Sequence, residues 1–257
     1  MNSLKCMNIE DLSEEAELNF RKHLKENCYP GRGIVLGCDS GGNPVLIYWI
    51  MGRSVNSRNR IFTLTEEGVL RTEAADSSLL EDPSLIIYNA VLRFNQGYLV
   101  TNGDHTDRIA AIMKKGGSFH EALLEEKHEP DPPNFTPRIA GLISQDTSGI
   151  KMVLGLVCRS HFTSERSEVH VHHLPLMKPG FGFGITTYQH DGNPLPHFQG
   201  NPLILPIQGR NEEVTDRYWN ALDSENRVSL AILRAGTIPA APEWEIRNAR
   251  NQPNEPG

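Results

Sequence analysis

A chain of 257 residues, 38% hydrophobic and 22% charged, is long enough to bury one good core without division into two. Its net charge of −7 argues against general nucleic-acid binding, and no apolar run is long enough to span a bilayer. Residues 1–27 lack the apolar centre of a signal peptide, and Cys6, Cys28, Cys38 and Cys158 have no paired metal-like spacing, so reduced thiols and a cytoplasmic location are expected.

Ile9, Leu12, Ala16, Phe20 and Leu24 recur at intervals of three or four and predict an amphipathic surface helix. The texture then changes, so residues 1–27 read as a helical extension, 28–250 as one domain and 251–257 as a polar tail. Ile34 to Gly37 opens a strand, Asp39 to Asn43 is a loop, and Val45 to Met51 is a strand apolar enough to be buried on both faces. Directly after it come Arg53, Arg58 and Arg60. On a strand Arg58 and Arg60 would share a face, and guanidinium forks suit phosphate oxygens; a solvated loop with weak surface ion pairs is the competing reading.

Residues 66–80 read as polar loop, and 85–92 as a strand interrupted by Tyr88 and Asn89. A core tyrosine with a satisfied hydroxyl is the common outcome for such a position; Asn89 is harder to explain by packing. Gly97 to Thr101 is a short strand ended by the Asn102-Gly103 turn signal. Ile109, Ile112 and Met113 then recur at helical spacing, with Thr106 or Asp107 as N-cap and Gly116 suited to the C-cap. A helix start facing a turn dense in Asn, His, Thr and Asp can hold an anion or a developing oxyanion, although most such turns serve only the backbone.

Phe119, Ala122 and Leu123 mark another helix, followed by a proline-stiffened acidic linker to Arg138. Residues 139–143 and 151–158 read as strands, and 161–166 as a loop. On a strand, His170 and His172 share a face able to chelate zinc, but no Cys, Asp or third His stands at convincing spacing, so a polar strand face is expected and no metal. Gly180 to Gly184 fits neither phosphate-loop nor dinucleotide spacing. Residues 185–188 and 228–233 read as strands and 212–222 as a helix; from Pro242 the composition turns polar, and fraying is expected at the end of the chain.

Taken together, Gly31-Arg32, Gly52-Arg53-Ser54 with Asn59-Arg60, Tyr88-Asn89, Asn102-Gly103 with His105-Thr106-Asp107, Thr136-Pro137-Arg138-Ile139-Ala140 and Thr187-Tyr188 resemble the archaeal-type inosine monophosphate cyclohydrolase family, in the family's order over roughly residues 29 to 200. The resemblance implies an α+β fold, a four-layer αββα sandwich of two antiparallel sheets flanked by helices, as in N-terminal-nucleophile hydrolases. It implies an enzyme that acts on C–N bonds of a cyclic amidine, closing 5-formamidoimidazole-4-carboxamide ribotide to inosine monophosphate with loss of water and without cofactor or metal. Tyr88, Glu129, Asn102 and His105 are the implied catalytic positions, with Glu126 the other match to the family's glutamate. Arg32, Arg53, Arg58, Arg60, Asn89, Gly103, Asp107, Arg138 and Tyr188 are the implied substrate contacts. Relatives tend to have lysine where Gln199 stands. The implied partner is a purine-precursor nucleotide; no nucleic acid or membrane is implied, and a homo-oligomer is compatible.

Two rivals stand beside this reading. One is an amidohydrolase whose nucleophile, Cys28, is freed by processing; the other is a purine-nucleotide-binding protein without catalysis.

Overall fold

The computed structural model describes residues 8–80, 83, 86–94, 97–163, 165–175, 178–236 and 241–250. The apolar run after the first loop explains the architecture. Strand β2 (Pro44–Met51) is buried along its whole length because its two faces serve two different cores. Leu46, Tyr48 and Ile50 point to one side, while Val45, Ile47, Trp49 and Met51 point to the other. Each fully buried large aliphatic side chain contributes about 1.5–3 kcal/mol, so the strand anchors both layers.

Strand β2 lies inside a six-stranded antiparallel sheet with β1 (Gly33–Cys38), β10 (Phe181–Thr186), β11 (Leu203–Pro206), β12 (Arg227–Arg234) and β13 (Glu243–Asn248), in the order β11-β10-β1-β2-β12-β13. A seven-stranded antiparallel sheet holds β3 (Ile61–Leu64), β4 (Leu70–Glu73), β5 (Asn89–Phe94), β6 (Gly97–Thr101), β7 (Arg138–Asp146), β8 (Gly149–Arg159) and β9 (Ser167–His173) in sequence order. The sheets face each other across a core of Ile34, Leu36, Leu46 and Tyr48 against Tyr98, Val100, Ile139 and Leu154.

Helices cover the two outer faces. Helix α1 (Ile9–Phe20), capped by Asn8, runs into a π-helical turn, and α5 (Asn211–Ala221) lies nearby; Phe20, Leu24, Tyr218 and Trp219 pack on Ile47, Trp49 and Ile232. On the opposite side α3 (His105–Lys114) and α4 (Phe119–Leu124) place Ile109, Phe119 and Leu123 on Leu99, Leu142 and Val157. The order of layers is therefore helices, sheet, sheet, helices, the expected α+β sandwich. A short helix α2 (Val55–Arg58) follows β2.

Several local expectations are corrected. Residues 55–58 are helical, so Arg58 and Arg60 do not share a strand face. Residues 66–80 contain β4, which pairs with β3 by burying only alternate side chains, a pattern masked by the polar residues between them. The segment around Tyr88 becomes strand only from Asn89; Leu85 lies outside the described residues. Gly180 to Gly184 is mostly strand β10, with glycines where neighbours approach closely: a Cβ at Gly182 would lie 2.9 Å from the Leu36 carbonyl oxygen. The polar stretch after Pro242 forms edge strand β13, paired to β12. The tail 251–257 lies outside the described residues.

Candidate active site

Antiparallel pairing gathers the motif residues at one end of the sandwich. Arg32 precedes β1, Arg53 to Arg60 follow β2 and Thr187-Tyr188 follows β10, all at the same end of the six-stranded sheet because Gly33 pairs with both Trp49 and Thr186. Tyr88 precedes β5, Asn102-Gly103 follows β6 and Arg138 opens β7, at one end of the other sheet. Contacts that join the two sides there include Arg32 to Glu129 of the linker before β7, Tyr48 to Tyr88, and Tyr188 to Thr136.

A cavity of about 260 Å³ opens at this end, lined by Tyr29, Gly31, Arg32, Arg53, Arg60 and Tyr188 among others. Gly31 has φ +74°, and a Cβ there would lie 2.2 Å from Thr187 Oγ1, so only glycine fits this wall. Arg53 Nη1 donates to Asp191 Oδ1 at 2.6 Å, and its guanidinium sits 4.9 Å from the centre of the Tyr29 ring. Arg60 is buried and donates to the carbonyls of Ser57 (2.8 Å) and Met51 (3.3 Å). Burial, helped by repulsion from Arg32, pushes its pKa down. Arg58 instead donates to Gly52 O and Asn226 Oδ1 and does not line the cavity.

Arg32 forms the wall between the cavity and Glu129. Its Nη1 lies 3.3 Å from both carboxylate oxygens, longer than the ~2.7–2.9 Å of a tight charge-assisted bond. Burial opposes the charge on Arg32 but Glu129 outweighs it, so its pKa rises. At Glu129 burial wins over Arg32 and Arg138 and pushes the carboxyl up from its usual 4.5. The alternative glutamate, Glu126, is gripped elsewhere: both its oxygens accept from Arg108, at 2.9 and 2.7 Å.

Tyr88 is buried, and its hydroxyl is 2.7 Å from that of Tyr48. One hydroxyl donates to the other, which leaves the acceptor's hydrogen for a third partner. Burial, with Tyr88 beside it, raises the Tyr48 pKa well above 10. On the cavity's far side the Thr136 hydroxyl donates to the Asp131 carboxylate, so Tyr188, 2.6 Å from Thr136 Oγ1, donates to Thr136.

The Asn102-Gly103 turn supports this wall. Asn102 is fully buried, accepts from Ile139 N at 2.8 Å and donates to Pro137 O at 3.0 Å, so both ends of its amide brace the linker. His105 accepts at Nδ1 from Arg138 (3.0 Å), which makes Nε2 the protonated nitrogen facing Ile139 O at 3.3 Å. Burial, then Arg138, drives its pKa well below 6.5 and keeps the ring neutral. The helix begins at His105 with Asp104 as N-cap, two or three residues before the expected cap. Asp104 makes no cap bond because its carboxylate accepts from Arg108 and Arg138, both at 2.6–2.7 Å. Burial works against that charge, but the two arginines hold the carboxyl at about 2. A Cβ on Gly103 would lie 3.1 Å from Arg138 Nη1 and 3.6 Å from Glu129 Oε1, so the turn backbone abuts both. Asn89 and Asp107 bond to each other at 3.0 Å.

A family model described as IMP cyclohydrolase-like protein matches residues 29–237. The chain belongs to the IMP cyclohydrolase-like family. It is 30% identical over 167 residues to an IMP cyclohydrolase of Methanosphaera stadtmanae, covering 63% of this chain and 75% of that protein. It is 31% identical over 171 residues to one from Methanothrix thermoacetophila, covering 64% and 76%. A third, from Methanococcus maripaludis, is 33% identical over 124 residues, and there the match spans only 60% of the relative's length. The family match begins at Tyr29, after α1, although Phe20 and Leu24 of the preceding segment share a core with Trp49.

Sequence reasoning missed three residues of this cluster. Tyr48 was hidden in a uniformly buried strand, where its hydroxyl was the only available signal. Asp131 and Asp104 stood inside stretches already singled out, but only the fold shows which arginine or hydroxyl each one meets. Gln199 lies beside His161, at 3.4 Å, and outside the lining of the Arg32 cavity.

Proposed function

We propose that the chain closes 5-formamidoimidazole-4-carboxamide ribotide to inosine monophosphate. The observation that carries the reading is the loose, buried Arg32–Glu129 pair behind an arginine-lined cavity. The carboxamide nitrogen attacks the formyl carbon of the same molecule, so proximity is largely built into the substrate. One carboxamide N–H proton goes to Glu129, the new C–N bond forms, and the formyl oxygen takes a proton from the Tyr88–Tyr48 pair. The resulting hydroxyl takes the proton held by Glu129 and leaves as water, while the former formamide nitrogen returns its proton to the tyrosinate and forms the C=N bond. No electron changes hands, so the stoichiometry requires no redox cofactor.

In this proposal Arg53 and Arg60 hold the phosphate. Arg32 turns from Glu129 toward the bound nucleotide, which frees the carboxylate to act as base. Asn102, His105 and Arg138 act by bracing the turn and linker, and Asn89 with Asp107 fixes the α3 start beside them. Arg58 has no substrate contact.

Arg53→Ala is the cleaner probe of phosphate binding, since Arg60 also supports two backbone carbonyls. It is expected to raise KM by about 10-fold or more with a smaller change in kcat, because phosphate is held alike in ground and transition states. Arg53→Lys should restore only part of the loss. An unchanged KM removes Arg53 from the clamp.

The decisive assay follows ring closure by absorbance with purified protein and the formamido ribotide. Dialysis against chelator beforehand is expected to leave the rate unchanged, because the cavity wall is built from arginines and hydroxyls and its carboxylates are already engaged. A loss of activity restored by added zinc, with the melting temperature unchanged, would place a metal in the reaction. Calorimetric binding of inosine monophosphate without any cyclisation would favour the non-catalytic reading. Release of Cys28 as a new N-terminus would remove α1, whose Phe20 is buried against Tyr218 at 5.1 Å between ring centres, so intact mass is expected to show the unprocessed chain.

A further inference from the structure

We propose that Cys158, Glu168 and His170 form a divalent transition-metal site of the zinc class at the outer edge of the seven-stranded sheet. Strand β9 is the edge strand, and its pairing with β8 sets Glu168 opposite Cys158 and His170 opposite Leu156. Directly opposed residues in an antiparallel pair share a face, so thiol, carboxylate and imidazole stand together. Val169 and Val171 pack on the other face, under the α3–α4 layer. The three ligand atoms all lie within 4.8 Å of one another, the one such trio of His, Cys, Asp or Glu among the described residues.

The chemistry of the set fits zinc. A thiolate, a carboxylate and a neutral imidazole are its preferred donors, and thiolate plus carboxylate neutralise a divalent charge. Bonds of about 2.0–2.3 Å imply tetrahedral ligand separations of roughly 3.3–3.8 Å. His170 Nε2 is already 3.9 Å from Glu168 Oε2, and the His170 side chain is half exposed and free to close the remainder. Glu168 is also held as a supported ligand: Oε1 accepts from Ser160 Oγ (2.7 Å) and His161 N (2.9 Å), while Oε2 lies 3.2 Å from His161 Nδ1 and 3.9 Å from His170 Nε2, so metal binding would draw Oε2 away from His161. Cys158 is a free, buried thiol that belongs to the core between the sheets, and its sulfur lies within 4.8 Å of both other donors. On binding, the S–H proton leaves to solvent, a metal–sulfur bond forms, and water takes the fourth position.

His172 lies two residues along on the same face, and His173 points to the opposite one, which supplies a control. The full-length, metal-stripped protein is titrated with cobalt(II) and then with zinc, without nucleotide, so the outcome is independent of the proposed ring closure. One equivalent of cobalt is expected to give a near-ultraviolet thiolate-to-cobalt band that zinc displaces, and zinc should raise the melting temperature. Cys158→Ser should abolish the band, and His170→Ala, at an exposed position that leaves packing intact, should weaken zinc binding by at least about 10-fold. His173→Ala should change neither. A wild-type protein with no saturable band, a band that survives Cys158→Ser, or equal weakening in His173→Ala overturns the site.

Discussion

Tyr88→Phe is expected to lower kcat for ring closure by about 10²–10³, the scale for losing one transition-state donor or acid. The ring and its packing survive, but the Tyr48 hydroxyl loses its 2.7 Å partner in a buried setting. That costs about 1–3 kcal/mol of stability, so thermal melts must accompany the kinetics. Tyr48→Phe removes the same hydrogen bond and carries a similar stability cost, yet leaves the Tyr88 hydroxyl in place. Its kcat is expected to fall much less. The pair therefore separates a donor to substrate from a brace: equal losses in both variants would mean the bond between the tyrosines matters and neither proton reaches the substrate. A Tyr88→Phe enzyme with normal turnover would make Tyr88 an ordinary core tyrosine.

That comparison shows what the sequence could and could not reveal. Tyr88 stood out because a phenol and an amide interrupted an apolar run. Tyr48 did not, since nothing in Val45 to Met51 says which face meets the second sheet; that depends on β2 being sandwiched between two cores. Long elements such as α1, α5, β7, β8 and β12 were legible, the helices by the spacing of a buried face and the strands as apolar runs buried on both faces. The short strands β4 and β13 were not, because half-buried strands with polar alternate residues resemble loops, and the four apolar residues of edge strand β11 are too few to show a period. The arginine cluster was visible as a composition, but its division of labour was not. Arg53 and Arg60 reach the cavity, whereas the α2 turn directs Arg58 to Gly52 and Asn226. The resemblance favoured Glu129 over Glu126 without a physical reason, and the fold separates the two through their partners, Arg32 and Arg108. The trio Cys158, Glu168 and His170 is split across a hairpin whose register no spacing rule supplies.

Glu129→Gln is expected to reduce kcat by about 10²–10³ and to change the shape of the pH–rate profile. A base must be ionised to work, so activity in the parent protein falls as pH drops through the carboxyl's pKa. Burial raises that pKa above 4.5 despite Arg32 and Arg138, and the acidic limb is accordingly expected above the ordinary carboxylate range. Glutamine keeps the shape but cannot titrate, and the limb should disappear along with the rate. The substitution also leaves Arg32 without its buried anion, a source of instability unrelated to chemistry, so the limb is a more specific readout than the rate alone. If Glu129 and Tyr88 move protons in the same ring closure, the double variant should lose less than the product of the single losses. Fully multiplicative effects, or an acidic limb that persists unchanged in Glu129→Gln, would assign the base to another group and return Glu129 to the role of a buried counter-ion for Arg32.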